Sequence, residues 1–282
     1  MTALLRLVHP FPSALNALLV LGIALIAGAP IERAGLLALT MLGLQFCIGA
    51  VNDLFDEALD AKSKPFKPIP AGRVSRRAAW LVAAVFGGGG LALSGLVNPP
   101  DLLPLALAAT MLGAGLVYDA VLKPTAFGWV CFAVAFPLLP IYAWYGSTGT
   151  LPPQWEILVP VAILAGPALQ LANGVIDLET DRAAGLRTFA VALGRRRSLA
   201  LMAVALVVIH ALAWITLLPT DAVEADGSAV AVALLSGTAG ALALGGMVAS
   251  AQRTRVMRET GWTAQAASIA TLALAWLLGA SA

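Results

Sequence analysis

Charged side chains are scarce in this chain, since only 11% of its 282 residues are Asp, Glu, Lys or Arg. In soluble globular domains, roughly a quarter of all residues are charged. The deficit therefore excludes an ordinary water-soluble fold. The formal net charge of +2 says little by itself, and nothing in the sequence supports nucleic acid as a partner.

Cysteine and histidine are rarer still, with two of each. Cys47 and Cys131 lie inside apolar runs, which favours packing roles over a disulfide or a metal pair. We interpret His9 and His210 as interface or packing histidines, and their further roles stay open. No Ser-His-Asp order or nucleotide-binding glycine loop stands out.

Long apolar runs are what the sequence does have, because 60% of its residues are hydrophobic. A helix that crosses a bilayer needs about 17 to 25 such residues. The pattern predicts an all-α, polytopic membrane protein with nine spans. We place them roughly at residues 13–29, 34–51, 78–97, 102–119, 127–146, 156–176, 198–218, 229–250 and 262–280.

The loops between these spans alternate in charge. With the N-terminus in the cytoplasm, every basic residue but Arg33 falls on the cytoplasmic side, whereas the opposite loops carry acids such as Asp221, Glu224 and Asp226. This asymmetry fixes the orientation under the positive-inside rule. We expect an integral protein of a bacterial or archaeal cell membrane, and we interpret the arginines at 195–197, 253, 255 and 258 as topology signals.

Two acidic motifs carry the candidate chemistry. Each reads N-x3-D-x3-D and begins where an apolar run ends, on the predicted cytoplasmic side. Side chains four residues apart share a helix face, where like charges repel unless a cation lies between them. Mg2+ suits such oxygen ligands and keeps positions open for phosphate. The first motif consists of Asn52, Asp56 and Asp60, and the second of Asn173, Asp177 and Asp181.

The positions of the motifs also suggest an internal repeat, since they follow the second and the sixth predicted spans. We expect a single membrane domain over residues 1–282, with two pseudo-repeated halves at roughly 1–125 and 126–282 that share one site.

Basic residues follow both motifs. The segment from Lys62 to Ser75 is rich in proline and glycine, which predicts an ordered loop without helix. Metal-binding carboxylates surrounded by cations form the arrangement that a diphosphate requires. The candidate phosphate-binding residues are Lys67 and Arg73 in this segment, Lys123 after Tyr118, and Arg187 after the second motif.

At this point the sequence resembles the UbiA superfamily of intramembrane prenyltransferases. The run NDLFDEALDAKSKPFKPIPAGRVS is similar to its first signature, DLETDRAAGLRTFAVALG to its second, and YDAVLK to the Tyr-to-Lys element between them. With the nine spans, the likeness covers nearly the whole chain. It implies nine transmembrane helices around a central cavity capped by cytoplasmic loops, and transfer of a prenyl chain from its diphosphate to an acceptor.

The resemblance also implies roles for individual residues. Asn52, Asp56, Asp60, Asp177 and Asp181 would bind Mg2+ and diphosphate, with the four aspartates, Tyr118 and Lys123 as the catalytic set. Asn16, Asn173, Lys67, Arg73, Lys123 and Arg187 would contact substrate, with Tyr118 near the reacting carbon. One departure is Lys67-Pro68, where many relatives have Arg-Pro, so the charge stays but the bidentate fork is lost.

The acceptor is not specified by these motifs. An aromatic ring destined for a lipoquinone is the first choice, whereas a chlorin side chain, a glycerol phosphate ether or a sugar phosphate also fit the donor chemistry. A terpene cyclase of the same superfamily is a second enzyme hypothesis. An ion-coupled transporter that uses the two motifs as a cation site is the alternative from another class.

Overall fold

The computed structural model describes residues 3–217 and 227–281, and every regular element in these ranges is helical. The elements in chain order are α1 (Ala3–Leu7), α2 (Pro10–Ile26), α3 (Ile31–Ser63), α4 (Arg76–Gly95), α5 (Leu103–Val117), a π-helical turn (Tyr118–Leu122), α6 (Trp129–Thr148), α7 (Trp155–Ile176), α8 (Leu178–Ala183), α9 (Phe189–Leu193), α10 (Arg195–Leu217), α11 (Gly227–Ser250) and α12 (Arg255–Ser281).

Within the described ranges, eight helices are long and apolar enough to cross a membrane, and α2 is a shorter apolar helix of 17 residues. The predicted all-α, polytopic membrane fold is confirmed, and each of the nine predicted spans falls on one helix. Of the sequence features considered above, Leu218, Asp221, Glu224 and Asp226 lie outside the described residues.

Helix α3 differs most from its predicted span, because it continues to Ser63 instead of ending near residue 51. Its 33 residues correspond to a length of about 50 Å, whereas the hydrocarbon core of a bilayer is about 30 Å thick. The last turns of α3 therefore extend past the apolar run as one continuous helix, and these turns carry the first acidic motif.

The chain divides into two compact units. The first comprises Met1–Lys123 and Leu138–Thr150. In this unit α3 packs against α1, α2, α4, α5 and the π-helical turn, and its buried residues include Leu37, Met41 and Leu44. Most of the first unit is thus assembled around the helix that carries the first acidic motif.

The second unit comprises Pro124–Pro137 and Leu151–Ala282. Here α7 packs against α9, α10, α11 and α12. Ala172 of α7 is buried together with Met202 and Leu206 of α10. The helix that leads into the second acidic motif is therefore the common partner of the helices around it. That the units form one domain with pseudo-repeated halves stays a prediction.

A short chain of hydrogen bonds inside the second unit includes His210. His210 Nδ1 lies 2.8 Å from the Leu206 carbonyl oxygen, and its Nε2 lies 3.2 Å from Ser268 Oγ. Ser268 Oγ in turn donates to the Ala239 carbonyl at 2.7 Å. His210 and Ser268 together thus connect α10, α11 and α12 by hydrogen bonds. Cys47 and Cys131 are both buried, and no disulfide joins them.

A close backbone contact places α7 in the second unit. A Cβ atom on Gly166 would lie 2.5 Å from the Phe132 carbonyl oxygen of α6 and 2.7 Å from its carbonyl carbon. Real Cβ atoms do not approach a backbone this closely, so only glycine fits. The contact fixes the position of α7, which ends three residues after Asn173.

We therefore expect Gly166→Ala to destabilise the protein, by about 1–3 kcal/mol as for other overpacked cores. The measurement is the apparent melting temperature in detergent, followed by tryptophan fluorescence.

Gly245→Ala is the matched control, because a Cβ atom there meets nothing within 4 Å. Alanine favours a helix over glycine by up to about 1 kcal/mol, so this variant should melt at or above the wild-type temperature. Equal melting temperatures for the two variants would contradict the packing argument.

Candidate functional site

The first acidic motif lies on three successive turns of α3. Its carboxylates, which would repel each other, are each paired with a lysine from another segment. Lys123 Nζ lies 2.5 Å from Asp56 Oδ2, and Lys67 Nζ lies 2.6 Å from Asp60 Oδ2. Asp60 is buried and Asp56 is partly buried. Pairing of this kind is what makes buried carboxylates tolerable in a fold.

The loop 64–75, which joins α3 to α4, delivers Lys67. It is ordered and non-helical as predicted, with backbone hydrogen bonds from Arg73 and Val74 to the Pro68 carbonyl at 2.9 and 3.1 Å. Burial alone would lower the pKa of Lys67, but Asp53 and Asp60 outweigh it and raise that pKa above its ordinary value. The ammonium therefore stays charged. Arg73, on the same loop, is exposed.

The π-helical turn delivers Lys123. The Lys123 N–H donates to the Tyr118 carbonyl at 2.8 Å, the five-residue spacing of a π turn. π turns occur mostly as single insertions inside α-helices, and they are frequent at functional sites. Burial would lower the pKa of Lys123, but Asp56, Tyr118 and Asp119 raise it well above its ordinary value. Tyr118 itself is partly buried beside this pair.

Asp119 is a site residue that the sequence reasoning missed. It is 5% exposed, and its Oδ1 accepts a 2.7 Å hydrogen bond from Asn52 Nδ2. An ionised carboxylate can only accept, so Asn52 must turn its amide nitrogen towards Asp119 and keep its amide oxygen for another partner. The sequence did contain a signal for Asp119, because an ionisable residue within an apolar span indicates a functional site by default.

The second acidic motif does not lie on one uninterrupted helix, so that part of the prediction is wrong. Helix α7 ends at Ile176 and α8 begins at Leu178, with Asp177 at the junction. Arg258 Nη1 donates to the Val175 carbonyl at 3.2 Å, a group that a helix end leaves without an intrahelical partner. The Asp181 N–H still donates to the Asp177 carbonyl at 2.8 Å, so the four-residue spacing is kept.

Three arginines interpreted as topology signals contact this second motif or its surroundings. Arg255 Nη1 lies 2.7 Å from Asp177 Oδ1, and Arg258 Nη1 lies 2.6 Å from Glu179 Oε2. Arg195 Nη2 donates to the carbonyls of residues 251 and 252 at 2.8 and 2.7 Å. Burial would raise the pKa of Glu179, but hydrogen bonds from Arg258 and the backbone, with the charge of Arg195, lower it.

The remaining predicted site residues are Arg187, Asn173, Asp181 and Asn16. Arg187 is held by its backbone N–H, which donates to the Pro124 carbonyl at 3.1 Å, and its side chain is exposed. Asn173 is exposed, whereas Asp181 and Asn16 are partly buried. The first motif belongs to the first unit and the second motif to the second unit. A site that both motifs share stays a prediction.

The donor atoms of the two motifs are carboxylate and amide oxygens, which are the ligands that Mg2+ prefers. In the described residues, no three His, Cys, Asp or Glu side chains form a metal centre by themselves. Each motif offers only two aspartates and an amide, so a metal here would need further oxygen donors such as phosphate.

An apolar cavity of about 370 Å3 lies between α3, α4 and α5 of the first unit, and Val51, Trp80 and Leu112 are among its lining residues. Asp56 lies five residues after Val51 on α3. At about 100° per residue, and after subtraction of one full turn, the two side chains are about 140° apart around the helix axis. The cavity therefore opens on a different face of α3 from the first acidic motif.

Comparisons with known proteins agree with the sequence signatures. The model of the UbiA prenyltransferase family matches residues 15–255. The chain is 33% identical to a digeranylgeranylglyceryl phosphate synthase of Methanopyrus kandleri over 78% of this chain and 79% of that protein. It is 31% identical to the chloroplastic chlorophyll synthase of Arabidopsis thaliana over 51% of this chain and 39% of that protein.

The fold is also similar to that of a solved structure, a UbiA homolog from Archaeoglobus fulgidus bound to DMAPP and Mg2+. The TM-score is 0.71 at 20% identity, over 97% of this chain and 99% of that one. At this identity the likeness supports the fold alone.

The Lys123–Asp56 pair leads to a prediction about stability in a buffer that contains EDTA. Lys123→Met leaves Asp56 without its cation, so we expect a loss of about 2–3 kcal/mol, less than for a fully buried pair. The pKa of Lys123 is higher in the folded state than the ordinary value of about 10.4. The loss should therefore be constant from pH 7 to about 10 and shrink only at higher pH. Melting temperature against pH measures this.

Two further variants control that measurement. Lys123→Met combined with Asp56→Asn removes both charges and should recover part of the stability. Lys62→Met alters an exposed lysine and should have little effect. A Lys123→Met variant that melts like the wild type at pH 7 would contradict the pairing.

Proposed function

The chain belongs to the UbiA prenyltransferase family, and on this premise we propose that it transfers a polyprenyl group from a prenyl diphosphate to a lipophilic acceptor in the membrane. The observation that carries the proposal is the family match to residues 15–255, a range that includes both acidic motifs. Eight helices among the described residues are long and apolar enough to cross a membrane, and together with the family match they make the protein an integral membrane enzyme.

We propose that Asn52, Asp56 and Asp60 of the first motif, with Asp177 and Asp181 of the second, hold Mg2+ together with the diphosphate. The donor set supports this, since all five side chains offer oxygen. The Asn52–Asp119 hydrogen bond supports it further, because it leaves the Asn52 oxygen available. When bound, Mg2+ neutralises the diphosphate and makes it a better leaving group.

The basic residues would take up the charge of the departing diphosphate. The raised pKa values of Lys67 and Lys123 keep both ammonium groups charged at neutral pH, which suits electrostatic stabilisation of a leaving anion. We assign Asn173, Arg73 and Arg187 to the same substrate on the resemblance of the motifs.

The apolar helices and one aromatic ring would protect the allylic cation. Water would convert that cation to an alcohol, and packed apolar side chains exclude water from a site. Tyr118 lies directly before Asp119 and five residues before Lys123, so we place its ring near the reacting carbon, where an aromatic face stabilises a cation. We place Asn16 of α2 at the substrate cavity.

The named relatives support an acceptor other than the aromatic ring favoured by the sequence. One is a digeranylgeranylglyceryl phosphate synthase and the other a chlorophyll synthase. We therefore propose a glycerol phosphate ether as the first acceptor to test, before a chlorin or an aromatic ring. We place the site on the cytoplasmic face of a bacterial or archaeal membrane, because all basic residues except Arg33 lie on that predicted side.

We expect Asp56→Ala and Asp177→Ala each to reduce turnover about 100-fold or more, the range seen when one group that stabilises developing charge is removed. The measurement is Mg2+-dependent release of diphosphate from a prenyl donor by purified, folded protein.

Glu57→Gln is the control for this prediction. Glu57 lies next to Asp56 on α3 but pairs with Arg76 of α4, so its loss should leave turnover within about twofold. Full activity in either aspartate variant would remove the basis of the assignment.

A donor and acceptor screen with product mass tests the proposed reaction itself. A prenylated glycerol phosphate ether would support the first acceptor, and a prenylated chlorin or aromatic ring would replace it. A cyclised hydrocarbon formed from the donor alone would indicate the terpene cyclase. Ion flux in vesicles, without diphosphate release from any donor, would indicate the transporter.

A further inference from the structure

We propose that Asp53 is a positioning residue that fastens both the N-terminal segment, residues 7–10, and the loop 64–75 to the helix that carries the first acidic motif. Asp53 lies beside Asn52 on α3 but points to another face, where it is 1% exposed. This inference rests on the proposed function, because its consequence is the position of Lys67 next to Asp60.

The N-terminal segment lies directly against the backbone of α3. Leu7 and Val8 are buried. A Cβ atom on Gly49 would lie 3.0 Å from the Val8 carbonyl carbon, 3.1 Å from its oxygen and 3.3 Å from His9 Cδ2. Ser13 Oγ donates to the same Val8 carbonyl at 2.8 Å. Glycine at position 49 therefore lets the segment approach, one helical turn before Asp53.

His9 joins this segment to Asp53. Its Nε2 lies 2.9 Å from Asp53 Oδ1, and its backbone is left-handed, with φ +49°. A non-glycine residue in this region costs of order 1–3 kcal/mol and persists only where the surroundings hold it. Here the surroundings are the Gly49 contact and the Asp53 carboxylate, two independent restraints on one residue.

Lys67 joins the loop to the same carboxylate oxygen. Its Nζ lies 2.7 Å from Asp53 Oδ1 and 2.6 Å from Asp60 Oδ2. The ammonium is thus held between two buried carboxylates, of which only Asp60 belongs to the acidic motif. Asp53 acts on Asp60 through Lys67, as carboxylates behind metal ligands do in other proteins.

Asp53→Asn keeps the size of the side chain and removes its charge. Loss of an outer-shell partner reduces metal affinity or activity about 10–100-fold. We expect a loss of that size in kcat/KM for the prenyl diphosphate and a rise of at least about tenfold in the Mg2+ concentration for half-maximal turnover. The KM for the acceptor should change little.

Two readouts do not depend on turnover. The first is calorimetric binding of Mg2+ with an unreactive thiodiphosphate analogue of the donor, which should weaken about 10–100-fold. The second is limited trypsin cleavage in the loop 64–75, which should accelerate when Lys67 loses one of its two anchors. Glu57→Gln is the matched control, because it makes the same carboxylate-to-amide change on α3 and should alter neither readout.

His9→Asn gives a second test, and it carries the proposal alone if Asp53→Asn does not fold. Asparagine tolerates the left-handed backbone, but the substitution removes the imidazole that contacts Asp53. We expect smaller shifts in the same direction, about three- to tenfold, because His9 is one step further from the metal ligands than an outer-shell partner whose loss costs about 10–100-fold. If His9 acts through Asp53, the double variant should be no more impaired than Asp53→Asn.

The proposal is overturned if Asp53→Asn lowers the melting temperature but leaves Mg2+ dependence, analogue binding and loop cleavage unchanged, since Asp53 would then be merely structural. Failure of the proposed function is distinguishable from this outcome. In that case the wild type would release no diphosphate from any donor, whereas the loop would still be cleaved faster in Asp53→Asn than in Glu57→Gln.

Discussion

Repulsion between carboxylates on successive turns of α3 is the constraint on which the first unit depends. In water two like charges at this spacing disfavour a helix by only a few tenths of a kcal/mol, but Asp60 is 2% exposed and burial makes an uncompensated charge far more costly. Each carboxylate of the motif is therefore met by one lysine, Lys123 for Asp56 and Lys67 for Asp60. Both lysines come from segments that are not α-helical, the π-helical turn and the loop 64–75. The irregular parts of the first unit thus supply the cations that its longest helix requires.

The second unit meets the same constraint with arginine. Arg255 pairs with Asp177, and Arg258 pairs with Glu179 while it donates to the carbonyl at the end of α7. A guanidinium has five donors and can serve a carboxylate and a backbone carbonyl together, which suits a motif interrupted at a helix junction. Each unit therefore keeps carboxylates and cations side by side. Under the proposed function both are needed, because the carboxylates would bind metal and the cations would bind the phosphate that the metal also contacts.

The spans and the two acidic motifs could be predicted from the sequence because both are local signals, namely long apolar runs and a fixed four-residue spacing. The ion-pair partners of the motif carboxylates could not be predicted from the sequence. Lys123 lies 67 residues from Asp56 and Arg255 lies 78 from Asp177, and no local pattern reports a pairing at such a distance. The helix break at Asp177 was missed for the same reason. The Val175 carbonyl at this break accepts a hydrogen bond from Arg258 of α12, which is distant in sequence. Asp119 was predictable in principle, as a charge inside an apolar span, but its partner Asn52 was not.

Lysine at position 67, where many relatives that the sequence resembles have arginine, follows from the geometry of its two partners. The ammonium contacts oxygens of two different carboxylates, at 2.7 Å from Asp53 and 2.6 Å from Asp60. A guanidinium would favour one carboxylate in a planar fork, whereas an ammonium is a compact charge with three donors around one nitrogen. Two of these donors suffice for the two carboxylates, and under the proposed function the third would face a phosphate oxygen. Lysine can therefore anchor the loop to α3 and bind the substrate at once, so the departure at this position is compatible with the proposed role of the loop.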